Sequence, residues 1–135
     1  MTKEEFNELL RDAIIDRNIN EVTRLLKLGA DPNYQLPEET YKETGEYKAQ
    51  PYSPLRLVIF IISDSLIGDE ELAKDARIAA LLLEYGADAK SALQLAEDRY
   101  GKYDPKMEIT PFSKVIRIVK DAEKHQRIAN INKNH

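Results

Sequence analysis

The chain contains 135 residues, with 24 acidic and 20 basic side chains and a formal net charge of −4. This length predicts a single domain that can bury a hydrophobic core, and the acidic balance lacks the basic footprint of a nucleic-acid-binding domain. The absence of cysteine excludes disulfides, thiolate zinc sites and cysteine nucleophiles, and two histidines leave little for a histidine-based metal site.

Apolar residues at helical spacing predict two short helices at the start of the chain. The first covers about residues 4–17, and Thr2 with Glu5 forms a capping box at its beginning. The second covers about residues 20–28 and ends at Gly29, where a left-handed residue is expected to close the helix. The two helices are expected to pack against each other and to leave one face for a further neighbour.

The composition changes between residues 34 and 52, a segment called the insertion below. It is polar, contains Pro37 and Pro51, and has no long apolar run. Its centre predicts a β-hairpin that turns at Thr44 and Gly45.

Helical patterns return after the insertion. A helix is predicted from about Ser53 through the apolar run 57–62, although the β-branched residues of that run would also suit a strand. Another helix covers about 70–85 and ends at Gly86. The last two helices are predicted at about 90–99 and 111–125, and the polar residues 127–135 are expected to fray.

An internal repeat is the strongest pattern in the sequence. The segment Leu25–Asp31 recurs as Leu82–Asp88, and the two glycines of the repeat are 57 residues apart. That offset is about one ankyrin period of ~33 residues plus about 24 extra residues. The insertion and the link at 63–69 account for the extra length.

At these positions the chain resembles an ankyrin-repeat protein. Ser53–Leu57 resembles the Thr-Pro-Leu-His opening of a repeat, with Arg56 in place of histidine, and 91–96 resembles a third opening. Arg17 stands where glycine commonly links the two helices of a repeat. The resemblance implies an all-α ankyrin-repeat solenoid of three helix pairs with a β-hairpin-like insertion. It implies one domain over residues 1–126, with repeats at about 4–33, 52–88 and 90–124.

The same resemblance implies a non-enzymatic module, such as an adaptor, inhibitor or immunity-type protein, that binds a protein partner through the insertion and the adjacent first helices. The insertion holds four of the seven tyrosines, a residue type that often anchors interfaces. The candidate partner-binding residues are Tyr41, Lys42, Glu43, Tyr47, Lys48, Tyr52 and Arg56. The alternative is that the rings cover the base of the hairpin, which applies above all to Tyr34 and Tyr52.

Two other functions remain open from the sequence. Residues 105–135 carry seven basic and three acidic side chains, which would suit a nucleic-acid-associated regulator. Solvated cations near a helix C-terminus are the favoured explanation, because the segment lacks a platform of aromatic side chains on which bases could stack. An exposed apolar end would suit a self-associating structural unit. The chain is expected to be a monomer or a weak dimer.

No catalytic, cofactor-binding or metal-binding residues are predicted. The carboxylates fall on the outer faces of amphipathic helices, and the five glycines are scattered singly rather than grouped in a phosphate-binding loop. Residues 1–5 lack the pattern of a signal peptide, and the run 57–62 is far shorter than the ~20 residues that cross a bilayer. We therefore expect a cytoplasmic protein without cofactor or membrane partner, for which a protein is favoured over nucleic acid as the partner.

Overall fold

The structure, a computed structural model, describes residues 2–35, 53–64, 68–100 and 111–133. The described residues form six α-helices and no strand, which confirms the all-α class. The helices are α1 (Lys3–Ile15), α2 (Ile19–Lys27), α3 (Pro54–Asp64), α4 (Asp69–Glu84), α5 (Ala89–Tyr100) and α6 (Pro111–Lys133). The hairpin predicted at the centre of the insertion falls on residues 40–49, which lie outside the described residues.

The helices form a two-layer stack of three pairs. Within the pairs, α1 contacts α2, α3 contacts α4 and α5 contacts α6. Between the pairs, α3 contacts both α1 and α5, and α4 contacts both α2 and α6. The second pair therefore lies in the middle of the stack, and the first and last pairs lie at its two ends.

The hydrophobic core runs between the two layers. It is built mainly of aliphatic side chains, with small alanines where helices approach closely. Its largest fully buried apolar members are Leu10, Ile14, Val22, Leu25, Leu55, Val58, Ile59, Ile78, Leu82, Val115 and Val119. Because every helix pair contributes apolar residues to this core, no pair buries its apolar surface without its neighbours.

Side-chain caps explain where the first three helices begin. The hydroxyl of Thr2 accepts a hydrogen bond from the Glu5 backbone N–H at 3.2 Å, which confirms that Thr2 caps α1. The side chain of Asn18 accepts the Glu21 N–H at 3.2 Å at the start of α2. The Ser53 hydroxyl accepts the backbone N–H of Arg56 at 3.4 Å before α3. Each cap satisfies an N–H group that has no partner within its own helix.

The two repeated glycines close α2 and α4 in the same way. Gly29 has a φ of +103° and Gly86 a φ of +98°, which confirms the left-handed conformation predicted for both. In each turn the residue after glycine donates its N–H to a carbonyl five residues earlier, from Ala30 to Leu25 at 3.0 Å and from Ala87 to Leu82 at 2.9 Å. The repeat seen in the sequence is thus a repeated helix ending.

Gly86→Ala is expected to lower the free energy of unfolding by about 1–2 kcal/mol, because a Cβ is unfavourable in the left-handed region. No atom lies within 4 Å of the position of the added Cβ, so the cost is conformational and not a clash. Urea denaturation followed by circular dichroism measures the loss. Gly86→Asn is the control, since asparagine tolerates positive φ better, and an equal loss for both variants would contradict this explanation.

The last helix is longer than the sequence indicated. Residues 127–135 were expected to fray, whereas α6 continues through Lys133. After Pro111 no glycine or proline interrupts the chain, and Glu123 pairs with Arg127 one turn later at 3.8 Å. None of the helices in the described part of the chain, α6 included, is both long and apolar enough to cross a membrane.

Candidate interaction surface

Buried residues hold both ends of the insertion. Tyr34, its first residue, is 9% exposed and belongs to the hydrophobic core, and Ser53, which follows its last residue, is 5% exposed. The N–H of Tyr34 donates to the carbonyl of Asp31 at 3.4 Å. This burial supports the structural alternative for Tyr34. It also means that the insertion leaves and rejoins the stack at fixed points.

Asn33 connects the turn before the insertion to the turn after α4. Its amide Nδ2 donates to the carbonyl of Gly86 at 2.9 Å, and its Oδ1 accepts the N–H of Asp88 at 2.7 Å. The preceding turn is tied to α1 as well, because the N–H of Asp31 donates to the side chain of Asn7 at 3.4 Å. The chain that leads into the insertion is therefore attached to two parts of the stack.

Gln126 of α6 holds the same turn from the other side. Its Nε2 donates to the carbonyl of Ala87 at 2.8 Å, and its Oε1 accepts the N–H of Ala89 at 3.0 Å. The backbone groups of residues 86–89 thus bond in turn to Asn33 and to Gln126: Asn33 binds residues 86 and 88, and Gln126 binds residues 87 and 89. Two amide side chains, one from each neighbouring part of the stack, fix this turn with four hydrogen bonds.

We expect Asn33→Ala and Gln126→Ala each to cost about 1–3 kcal/mol, because each removes two hydrogen bonds with a net value of about 0.5–1.5 kcal/mol apiece. Native-state hydrogen exchange distinguishes them, since the N–H of Asp88 should lose protection in the first variant and that of Ala89 in the second. Asn20→Ala, an exposed asparagine on α2, is the control. Unchanged exchange at both amides would contradict the role assigned to these side chains.

The structure places one of the seven candidate partner-binding residues. Arg56 lies in the first turn of α3, half-buried, directly after the insertion. The other six lie outside the described residues and stay predictions: Tyr41, Lys42, Glu43, Tyr47, Lys48 and Tyr52. Arg56 is therefore the one candidate partner-binding residue that lies in the described part of the stack.

The exposed side of α1 is acidic and is called the acidic face. Apart from the adjacent Glu4 and Glu5, its members follow one another at a spacing of three or four residues, so they share one side of the helix. They are Glu4, Glu5, Glu8 and Asp12, with the 48% exposed Ile15 among them. Arg11 borders this face and pairs with Asp12 at 3.2 Å.

The exposed side of α6 is basic and is called the basic face. It carries Lys114, Arg117, Lys120, Lys124 and Arg127, together with Ile128 and Ile131. Asp121 lies among these cations, and Glu123 pairs with Arg127 at the border of the face. The basic excess predicted for residues 105–135 is thus concentrated, within the described residues, on one side of the last helix.

A buried ion pair joins the first helix pair to the second. Nε of Arg17 donates to Oδ2 of Asp75 at 3.2 Å, and the Asp75 side chain is fully buried. Arg17 has a φ of +54°, so the position that resembles a linking glycine does adopt the glycine-like conformation. Burial raises the pKa of Asp75, while the charge and hydrogen bond of Arg17 act in the opposite direction and Glu71 adds to the increase.

Asp75 was not among the residues singled out from the sequence. A pattern was available, because Asp75 lies three, four and seven residues before the buried Ile78, Ala79 and Leu82 and so belongs to the buried side of α4. An acidic residue on an apolar side indicates a buried partner. The partner itself, Arg17, lies 58 residues away in the sequence, and only the packed stack brings the two together.

Metal ligands and similarity to known proteins are two further sources of information on function. Within the four described stretches, no three histidine, aspartate or glutamate side chains lie close enough together to hold a metal ion. No protein-family model matches the sequence, and a search of curated proteins finds no similar sequence. The geometry of the two turns, the two charged faces and the buried pair is therefore the basis for a functional proposal.

Proposed function

We propose that this chain is a non-enzymatic protein-binding module of the ankyrin-repeat type, which docks a protein partner through the insertion and the adjacent helices α1 and α3. The observation that carries this proposal is the fixed base of the insertion. Tyr34 and Ser53 hold its two ends, and Asn33 attaches its first residues to the turn at 86–88. A long surface segment on a rigid base is typical of a binding loop.

The residues of the insertion suit this role. A segment presented from fixed ends loses less conformational entropy on binding than a free chain of the same length. Its tyrosines offer large contact areas with few torsions to order, which is why tyrosine is common among the residues that dominate binding energy. Lys42, Glu43 and Lys48 would then provide charge complementarity, which acts mainly on specificity and association rate.

The described residues offer support for a non-enzymatic function. His125, the histidine within the described part of α6, is exposed, and its Nδ1 lies 2.7 Å from the Asp121 carbonyl of the same helix. The carboxylate whose pKa is raised by burial, Asp75, contacts Arg17 inside the stack rather than in an open cleft. Neither arrangement resembles a general acid or base placed to reach a substrate.

Affinity capture from the lysate of the source organism tests the proposal, with three immobilised proteins compared side by side. They are the natural chain, a Tyr41→Ala, Tyr47→Ala variant, and a Tyr85→Ala control that removes a 38% exposed tyrosine outside the insertion. We expect one protein to be enriched by the natural chain and by the control. The double variant should recover at least about tenfold less of it, since each interface tyrosine of this kind contributes about 2 kcal/mol.

Calorimetric titration with the purified partner then measures affinity directly. Equal affinity for the natural chain and the double variant would contradict a binding role for the insertion. Equal loss in Tyr85→Ala would show that the effect is not specific to the insertion. If the natural chain enriches no protein, the proposal of a protein-binding module is itself contradicted.

A further inference from the structure

The two charged faces belong to opposite ends of the stack. The acidic face lies on α1, which contacts α2 and α3, and the basic face lies on α6, which contacts α4 and α5. Each end pair has a neighbouring pair on one side of the stack only. In a stacked helical protein the outer surface of each terminal pair has to be polar for solubility.

Several charges of these faces form no ion pair within the described part of the chain. Among the described residues, Glu4, Glu5 and Glu8 form no ion pair, and neither do Lys114, Arg117 and Lys124. Charges on a solvated helix often remain unpaired, so this fact alone does not require a partner. What distinguishes this chain is that one molecule carries both an acidic helix face and a basic helix face.

Exposed aliphatic residues lie within both faces. Ile15 lies among the carboxylates of α1, and Ile128 and Ile131 are 47% and 53% exposed among the cations of α6. Aliphatic side chains gain nothing from contact with phosphate groups, whereas they gain from contact with one another when water is removed. The two faces therefore match in their apolar residues as well as in their charges.

We infer that a second copy of this chain binds here, with the acidic face of α1 in one copy against the basic face of α6 in the other. Nucleic acid is the competing partner for the basic face. The net charge of −4 opposes long-range attraction to a polyanion, and Ile128 and Ile131 have no role in phosphate binding. Self-association uses both faces, and its interface shares α1, but not the insertion, with the surface proposed to bind a protein partner.

A charge-exchange experiment tests this interface. One variant, Glu4→Lys with Glu8→Lys, makes both faces of the molecule basic, and the other, Arg117→Glu with Lys124→Glu, makes both faces acidic. Mass is measured by light scattering and sedimentation over a concentration series, at about 0.1 M and about 1 M salt, where charges are screened beyond about 10 Å and 3 Å. Circular dichroism confirms that each variant is folded.

The natural chain is expected to associate at the lower salt and to dissociate at the higher. Each variant alone should bind itself at least about tenfold more weakly, because like charges then face each other. An equimolar mixture of the two variants should associate again, since a basic chain can pair with an acidic one. The matched controls reverse the same number of charges elsewhere: Lys27→Glu with Lys90→Glu, and Glu70→Lys with Glu84→Lys.

Three results would overturn the inference. The first is a natural chain that stays monomeric at all concentrations. The second is a pair of variants whose mixture remains monomeric. The third is a monomeric chain that binds duplex DNA in a salt-dependent way and loses that binding in Arg117→Glu with Lys124→Glu, which would assign the basic face to nucleic acid.

Discussion

Arg17→Ala is expected to lower the free energy of unfolding by about 3 kcal/mol, the largest effect of any single charged residue in the described stack. The substitution leaves Asp75 fully buried without its cation. A buried charge that loses its partner is strongly destabilising because neither water nor another group compensates for the lost hydration. Urea denaturation monitored by circular dichroism measures the change.

Two controls separate this effect from the loss of an ordinary ion pair. Arg24→Ala removes an exposed pair with Glu21 on α2, and it should change stability far less than Arg17→Ala because the exposed charges stay solvated. Combining Arg17→Ala with Asp75→Ala should restore part of the lost stability, because the buried charge is then gone as well. A double variant that is less stable than Arg17→Ala alone would rule out the uncompensated charge as the cause.

The pH dependence provides a second test of the same pair. Burial raises the pKa of Asp75 above its ordinary value of about 3.9, and Arg17 limits that increase. A raised folded-state pKa means that this group stabilises the fold below about pH 3.9 and loses that contribution as pH rises through the folded pKa. In Arg17→Ala the cation no longer limits the increase in the pKa of Asp75. The free energy of unfolding of this variant should therefore fall further below that of the natural chain at pH 7 than at pH 4.

Leu55→Ala is expected to cost about 2–5 kcal/mol, the usual range for a large aliphatic residue removed from a packed core. Leu55 is fully buried on α3, the helix that contacts α1, α4 and α5. A cavity at this position weakens the contacts of the middle pair with both ends of the stack. Leu28→Ala is the control, since Leu28 is 56% exposed and its loss should change stability by less than about 0.5 kcal/mol.

The width of the unfolding transition tests whether Leu55→Ala also uncouples the three helix pairs. With the middle pair intact, all three pairs should unfold together in one transition, because each end pair is stabilised by contact with the middle one. Leu55→Ala should broaden or split that transition. A variant that unfolds as sharply as the natural chain and within about 0.5 kcal/mol of it would show that α3 does not couple the stack.

Local patterns were enough to predict most of the helices. Gly29 and Gly86 mark the ends of α2 and α4, and their left-handed conformation follows from the missing side chain alone. Thr2 marks the start of α1 for an equally local reason. Capping and chain reversal depend on residues within about one turn of each other, so a sequence can reveal them without knowledge of the fold.

Long-range features could not be predicted in the same way. Asp75 meets Arg17, and Asn33 meets Asp88, only after the helix pairs have stacked. The extent of α6 was underestimated because a run of polar residues resembles a frayed end, although no residue in it stops a helix. Of the candidate partner-binding residues, Arg56 alone is described, and the importance of the other six depends on the experiments proposed above.

The hydrogen bonds of Asn33 bear on how the length of the insertion can change during evolution. They close loops of 53 and 55 residues, and the insertion lies inside both. The entropy of closing a loop depends only weakly on its length, and doubling the length costs about 0.6 kcal/mol. By loop-closure entropy alone, additions or deletions of several residues between Tyr34 and Ser53 are expected to change stability by less than about 0.6 kcal/mol. Under the proposed function, binding specificity would then vary with the length of the insertion while the helical scaffold stays the same.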